Sequence, residues 1–387
     1  MEIYGSLFIS FILALVLSLY EVPIIVKIAK KLHLVDHPNE RSSASQSIPT
    51  LGGIAIFLSF ILSSAIGLYG FELPEMSYIL PALGLILFVG MVDDLLNLSP
   101  YKKFIAQIIV AMMLIFLAKI HFTNLHGIFG VGAIGIIPGT AITVLTIIVI
   151  TNALNMIDGI DGLAGGITML ISFVFGSWFL MSGHFNYAIL SFTLMGSVAG
   201  FFYFNVYGTE NKIFMEDTGS LLIGTIISIL VIQFNEFNID QTQVYAVTSA
   251  PAISFGILSY PLMDIIRVIS IRIVHLRGPF RADKNHFHHR LLTLGLSHRQ
   301  ATYSIIGFNV IFILAVFYLQ HFGIFRLMVY IALACFILVM IPAYFIKKYR
   351  LIKKNDPVQH LLIPGSETDI PANRIWNSNG RSSQSDE

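Results

Sequence analysis

Charge is scarce in this sequence. Asp, Glu, Lys and Arg make up 12% of its 387 residues, while 56% are hydrophobic; soluble domains carry about a quarter charged residues. That balance excludes an ordinary soluble protein and implies an integral membrane one. A single cysteine, Cys335, rules out an internal disulfide and leaves the redox compartment unread. Basic clustering is missing as well: 23 Lys and Arg against 22 Asp and Glu give a net charge of +1, which argues against nucleic acid as a partner. The N-terminus has neither the basic start nor the small-residue cleavage site of a signal peptide. Its apolar run, Tyr4 to Ile28, is broken only by Glu21 and Lys27, and predicts a retained first span. No internal repeat is evident, which counts against transporters built from paired halves.

A helix needs roughly 17 to 25 mostly apolar residues to cross the hydrocarbon core. Eleven stretches meet that ruler: about 4–26, 51–69, 78–92, 104–120, 139–155, 163–182, 186–204, 219–235, 247–270, 301–318 and 325–346. The third and fifth are among the weakest by length, and the Gly/Ile-rich 127–138 reads as an external hairpin or a re-entrant segment. The expected fold is therefore an all-α integral membrane protein of about eleven transmembrane helices, with a membrane domain over 1–355. The polar, Ser/Asn-rich 356–387 reads as a disordered cytoplasmic tail. Basic residues are retained on the cytoplasmic side. With the first loop placed inside, 21 of the 23 Lys and Arg fall there, Lys119 and Arg326 being the exceptions. The N-terminus is thus expected outside and the C-terminus in the cytoplasm.

Four loop motifs then land on that one face, although only Lys and Arg set the topology. They are VDDLLNLSPYKKF (Val92 to Phe104), NALNMIDGIDGLAGG (Asn152 to Gly166), FMEDTGS (Phe214 to Ser220) and RADKNHFHHR (Arg281 to Arg290). The first loop, DHPNERSSASQSIPTLGG, falls on the same side. Any one acid here reads as a helix cap or a solvated loop residue, and Asp217 before Thr-Gly-Ser is a fair cap candidate. Five acids, Asp93, Asp94, Asp158, Asp161 and Asp217, on one face fit caps less well. Without a cation nearby in sequence they would repel one another unless a metal sat among them. Hard oxygen ligands point to Mg2+ or Mn2+. Magnesium keeps few protein ligands and borrows others from phosphates, so a diphosphate or nucleotide is the natural substrate. The glycines of DGIDGLAGG open a helix whose free N–H groups suit an anion, though glycine also serves packing between membrane helices. Lys102, Lys103 and the His-rich loop would supply the basic side. Juxtamembrane charge facing anionic lipid explains the lysines and arginines there but not three histidines.

These motifs, in this order and on one face, resemble those of the polyprenyl-phosphate N-acetylhexosamine-1-phosphate transferases. The resemblance runs from about Asp36 to Leu292, and DKNHFHHRLL is similar to the WecA/TagO-type branch, which uses UDP-N-acetylglucosamine, rather than to the MraY branch. It implies Mg2+-dependent transfer of a sugar 1-phosphate from a UDP-N-acetylhexosamine to undecaprenyl phosphate, with release of UMP, as the first step of a lipid-linked envelope glycan. It also implies a multi-pass protein of the bacterial cytoplasmic membrane with a cytoplasmic active site, in a family that often forms homodimers. By the same resemblance Asp217 is the metal ligand, and Asp93 and Asp94 orient or deprotonate the lipid phosphate. Asp158 lies on the metal side or is structural, and Asp161, Gly162 and Leu163 form the uracil end of a donor pocket preceded by Asn152 and Asn155. Lys103 and Arg281 meet phosphate, and His286, His288 and His289 line the diphosphate and sugar.

Two departures stand out. Glu216 occupies the place of the glycine usual in FxGDTGS, and Ser42 and Ala44 stand where Lys and His are common after Arg41. Glu216 is expected to point to water in preference to binding metal. The alternative sugars are a muramoyl-pentapeptide, a deoxy-hexosamine or N-acetylgalactosamine. A cation-coupled transporter is the alternative from another class, and it would need acids near the bilayer midplane.

Overall fold

In the computed structural model, which describes residues 2–36, 48–71, 73–274 and 286–354, the long apolar runs all become helices. The chain opens with α1 (Glu2–Lys31), then a short ladder of β1 (Val35–Asp36) with β2 (Ile48–Pro49), followed by α2 (Gly52–Gly67), α3 (Met76–Leu96) and α4 (Pro100–Phe116). Within and before the Gly/Ile-rich stretch β3 (Asn124–Ile128) and β4 (Val131–Ala133) form an antiparallel hairpin, and 136–138 open the next helix. Next come α5 (Ile136–Ile157), α6 (Leu163–Met181), α7 (Phe185–Tyr207) and α8 (Glu216–Phe237). The chain continues through α9 (Ala250–Ile257), α10 (Ser259–Val274), the short α11 (Phe287–Thr293), α12 (His298–Tyr318) and α13 (Ile324–Lys354). Tail residues 355–387, most of the first loop and Arg281 lie outside the described residues.

Seven of these helices are long and apolar enough to cross a membrane, or eight if the bent pair α9 and α10 is one span. The stretches judged weak by length, α3 and α5, reach 21 and 22 residues and qualify. The other three expected spans come out short among the described residues: α2 and α4 at 16 and 17 residues, and α13 with its apolar part confined to Ile324–Leu338. At 1.5 Å per residue α2 and α4 span about 24 to 26 Å, less than the roughly 30 Å hydrocarbon core. Phe8, Phe88 and Leu145 are exposed on the outer surface of the bundle, as side chains facing lipid would be.

At the centre stands α8, buried without a break from Thr218 to Ile232. A helix apolar or small on every face is one surrounded by others. Helices α2, α3 and α5 pack on it, and glycines set how closely they approach. A Cβ on Gly90 would lie 2.6 Å from Thr218 Cα, and one on Gly53 2.5 Å from the Thr218 carbonyl carbon. Both crossings hold the first turn of α8. Its entry is fixed from the other side by Phe214, whose N–H donates to Pro49 O (2.9 Å) and whose carbonyl accepts from Gly52 N–H (3.0 Å).

The expected continuous span over 247–270 is instead broken, α9 and α10 meeting at 80°. Backbone groups freed inside a membrane need partners, and Asn309 of α12 supplies them. Its Oδ1 accepts from Ser259 Oγ (2.8 Å) and Tyr260 N–H (3.2 Å), and its Nδ2 donates to Ile257 O (3.0 Å). Asn309→Leu is expected to destabilise the fold by about 1 to 3 kcal/mol, the cost of unpaired buried polar groups. A detergent melting curve that is unchanged in the variant would contradict this account of the bend.

Candidate functional site

The site assembles where several helices end together. Asp93 and Asp94 lie in the last turn of α3, which closes at Asn97 in a left-handed conformation (φ 49°). The Leu98 N–H donates to Asp93 Oδ1 (2.7 Å), turning the chain back on itself. With Pro100 opening α4, Lys103 falls in its first turn and returns to the acids. Its Nζ lies 2.9 Å from Asp93 Oδ2 and 2.7 Å from Asp217 Oδ2. Asn155, near the end of α5, donates to Asp217 Oδ1 (2.7 Å) and to Ser220 Oγ (2.8 Å).

Asp217 does not cap α8; no side chain of its own segment does. Asp94 caps it from α3 instead. Its Oδ1 accepts from Asp217 N–H and its Oδ2 from Thr218 N–H, both at 3.0 Å, and the Thr218 hydroxyl also donates to it. The positive end of α8 thus compensates a carboxylate brought from another helix. Asp158 follows α5 as its C-cap, and its carboxylate accepts from the Glu216 backbone N–H. Burial, followed by the neighbouring Asp217 charge, pushes its carboxyl up to about 7.

Among the described residues, Asp93, Asp94 and Asp217 offer oxygen atoms all within 4.8 Å of one another. Three hard oxygen donors suit a divalent cation of the magnesium type. The structure therefore extends the metal candidates from Asp217 to the pair expected to face the lipid phosphate. It also revises the electrostatics, since two of the five acids' cations come from distant sequence. Lys103 serves Asp93 and Asp217, and Lys212 lies 2.6 Å from Asp161. His298 at the start of α12 is 3.8 Å from the same carboxylate.

Glu216 adopts φ 50°, a left-handed backbone that favours glycine. A non-glycine residue there costs about 1 to 2 kcal/mol. Glu216→Gly is accordingly expected to raise the melting temperature while activity is retained. A loss of activity with improved stability would show that the carboxylate takes part in the chemistry.

The glycine-rich loop has two neighbours. Gly162, at φ 77°, donates its N–H to Asn205 Oδ1 (2.6 Å), and Asn205 Nδ2 holds Ile213 O (2.9 Å), so α7 fixes the start of α6 at Leu163. On the other side Gly159 meets the histidine segment: a Cβ there would lie 2.5 Å from His288 Nε2. His288 is fully buried, and burial pushes its imidazole down to about 3, keeping the ring neutral. Its ring lies parallel to that of His286 (5.4 Å, 12°) and close to that of His289 (4.4 Å). Of the expected site residues, Asn152 stands apart from the acids, bonded to Gln107 Oε1 (2.7 Å) and Ile148 O (2.8 Å). Asn205, Lys212, Asp264 and His298 were not singled out as site residues from sequence. Only Asp264, an acid inside an apolar run, carried a signal of its own.

The model of glycosyl transferase family 4 matches residues 76–235, which include Asp93, Asp94, Lys103, the DGIDG loop and Asp217. The undecaprenyl-phosphate alpha-N-acetylglucosaminyl 1-phosphate transferase of Pasteurella multocida is 34% identical over 301 residues, covering 76% of this chain and 80% of that protein. The enzyme of the same name from Salmonella typhi is 30% identical over 279 residues, 71% and 73% of the two chains. That of Escherichia coli K12 is 29% identical over the same length. With a matching family model over the acid-bearing helices and relatives alike over most of both lengths, the chain belongs to glycosyl transferase family 4.

Proposed function

We propose that this protein transfers N-acetylglucosamine 1-phosphate from UDP-N-acetylglucosamine to undecaprenyl phosphate and releases UMP. The observation that carries the reading is the convergence of Asp93, Asp94 and Asp217 with Lys103 and Asn155 at one end of the bundle. The names of the relatives supply the substrates. Positive charge retained beside that end supports a cytoplasmic site in the bacterial inner membrane, with the N-terminus outside and the C-terminus inside.

An oxygen of the lipid phosphate attacks the β-phosphorus of the donor, the bond from that phosphorus to the bridging oxygen breaks, and UMP leaves. A phosphate monoester loses its second proton near pH 6, so Asp93 and Asp94 need not act as bases. Asp93, Asp94 and Asp217 would hold Mg2+. When bound, the ion offsets the charge that keeps two anionic phosphates apart and the charge on the leaving UMP. Asn155 fixes the rotamer of Asp217, and Lys103 exchanges its carboxylate partners for phosphate oxygens as the donor enters. Asp161, Gly162 and Leu163 form the uracil end of the pocket, with Arg281, His286, His288 and His289 at the diphosphate and sugar. An apolar cavity of about 370 Å3 between α5, α8, α9 and α10, lined by Leu145, Val149, Val231, Phe255 and Leu262, suits part of the polyprenyl chain. The five acids sit at helix ends, and neither the relatives nor the fold support a transporter.

Detergent-purified protein given undecaprenyl phosphate, UDP-N-acetylglucosamine and Mg2+ is expected to release UMP, and to stop when either the lipid or the metal is withheld. Release with another UDP-sugar alone would replace the donor. Folded protein silent with every UDP-sugar would overturn the reading.

A further inference from the structure

The histidine segment is held by a residue to which the proposed reaction has given no part. Asp264 lies in α10 and is almost completely buried, in a stretch otherwise apolar enough to sit in a membrane. Its Oδ2 is 2.6 Å from His286 Nδ1, and its Oδ1 accepts from the Phe287 backbone N–H at 2.8 Å. Arg267, one turn further on, brings a guanidinium nitrogen to 3.3 Å. Tyr260, one turn earlier, places its hydroxyl 3.4 Å from His288 Nδ1. Residues 260, 264 and 267 repeat at the spacing of one helix face, and from that stripe of α10 Asp264 meets His286 and Phe287 while Tyr260 meets His288.

A buried carboxylate is costly unless donors surround it. Three surround this one, and two of them belong to the histidine segment. The arrangement has a chemical consequence for His286. A carboxylate oxygen can only accept, so the bond requires the proton on Nδ1 and leaves Nε2 as the nitrogen available to a ligand. The Phe287 bond fixes the first residue of α11 at the same time. His286 lies parallel to His288, and His288 abuts Gly159 beside Asp158. Orientation set at Asp264 is thus passed through two stacked rings to the glycine-rich loop.

We propose that Asp264 is a positioning residue for the transfer, acting by holding the Nδ1–H tautomer and the orientation of His286. The inference rests on the proposed reaction for its kinetic consequence, but the tautomer can be read without turnover. In Asp264→Asn the amide oxygen can still accept from Phe287 and Arg267, so the hydrogen bonds that place α11 are kept while the charge opposite Arg267 is lost. The amide NH2 group then faces His286 and asks Nδ1 to accept, which moves the ring proton to Nε2. A buried acid that fixes a histidine tautomer loses far more on conversion to the amide than its geometry suggests, and partners of this kind commonly cost 10- to 100-fold in activity.

The expected result is a kcat per folded molecule lowered by about 10- to 100-fold in Asp264→Asn, with the KM for UDP-N-acetylglucosamine within about twofold. Asp264→Glu is expected to recover part of the loss. In a His286→Gln background Asp264→Asn should cost nothing further, because residues acting as one unit are non-additive. Additive losses, or a full kcat per folded Asp264→Asn molecule, would overturn the proposal. Nitrogen-15 spectra of histidine-labelled protein, assigned by His286→Gln, should show Nδ1–H at His286 and its loss in Asp264→Asn. A wild-type ring protonated only at Nε2 would overturn the proposal even if UMP release is normal. The expected spectra in protein that turns over no UDP-sugar would instead locate the failure in the proposed reaction.

Discussion

Asp217→Ala is expected to lower UMP release per folded molecule by about 10^3-fold, the upper end of what one electrostatic group contributes at a preorganised site. The residue has no substitute nearby. Its two oxygens face different partners, Oδ1 taking Asn155 and Oδ2 taking Lys103, and its backbone N–H is bound by Asp94. Removing the side chain leaves the cap of α8 intact, so a loss of stability large enough to mimic inactivity is not expected. It removes one of three carboxylates from the candidate metal site and frees Lys103 to pair with Asp93 alone. Binding of Mn2+ followed by its paramagnetic signal, without substrate, provides a second readout and should weaken in parallel. Turnover within tenfold of wild type, or unaltered Mn2+ binding, would remove Asp217 from the site.

The chemistry was more legible in the sequence than the way it is held. Aspartates at the ends of apolar runs are conspicuous because burial makes them costly, and the fold brings Asp93, Asp94 and Asp217 within reach of one cation. What sequence could not show was compensation across distance. Lys103 and Lys212 lie 114 and 51 residues from carboxylates they pair with, and Asn205 meets Gly162 from 43 residues away. Periodicity carries no information about such partners. The bend between α9 and α10 was half hidden for a related reason. Gly256, Ser259 and Pro261 mark a possible break inside this apolar stretch, but the side chain that makes it tolerable, Asn309, belongs to another helix. Glu216 was visible as a departure, yet only the backbone angle shows that glycine would fit its conformation better.

The expected effect at Asp94 is double, and two variants separate its parts. Asp94→Ala removes an acceptor for two backbone N–H groups and a hydroxyl at the start of α8, the helix on which the bundle is centred. Loss of a cap costs about 0.5 to 2 kcal/mol, and hydrogen bonds to a charged group about 1.5 to 3 kcal/mol, so the melting temperature should fall clearly. Turnover should fall by about 10^2-fold or more, since a metal ligand and the register of Asp217 are lost together. Asp94→Asn keeps an acceptor oxygen for only one of the two N–H groups of α8 and turns its NH2 toward the other, although the Thr218 hydroxyl can rotate to accept from it. It is therefore expected to melt between Asp94→Ala and wild type, yet to bind Mn2+ more weakly and turn over slowly, because the charge has gone. If both variants melt like wild type and both remain inactive, the carboxylate acts on the metal alone and the cap is incidental. If Asp94→Asn is as active as wild type, the charge is dispensable and Asp94 serves only to hold α8, leaving Asp93 and Asp217 as the carboxylates of the site.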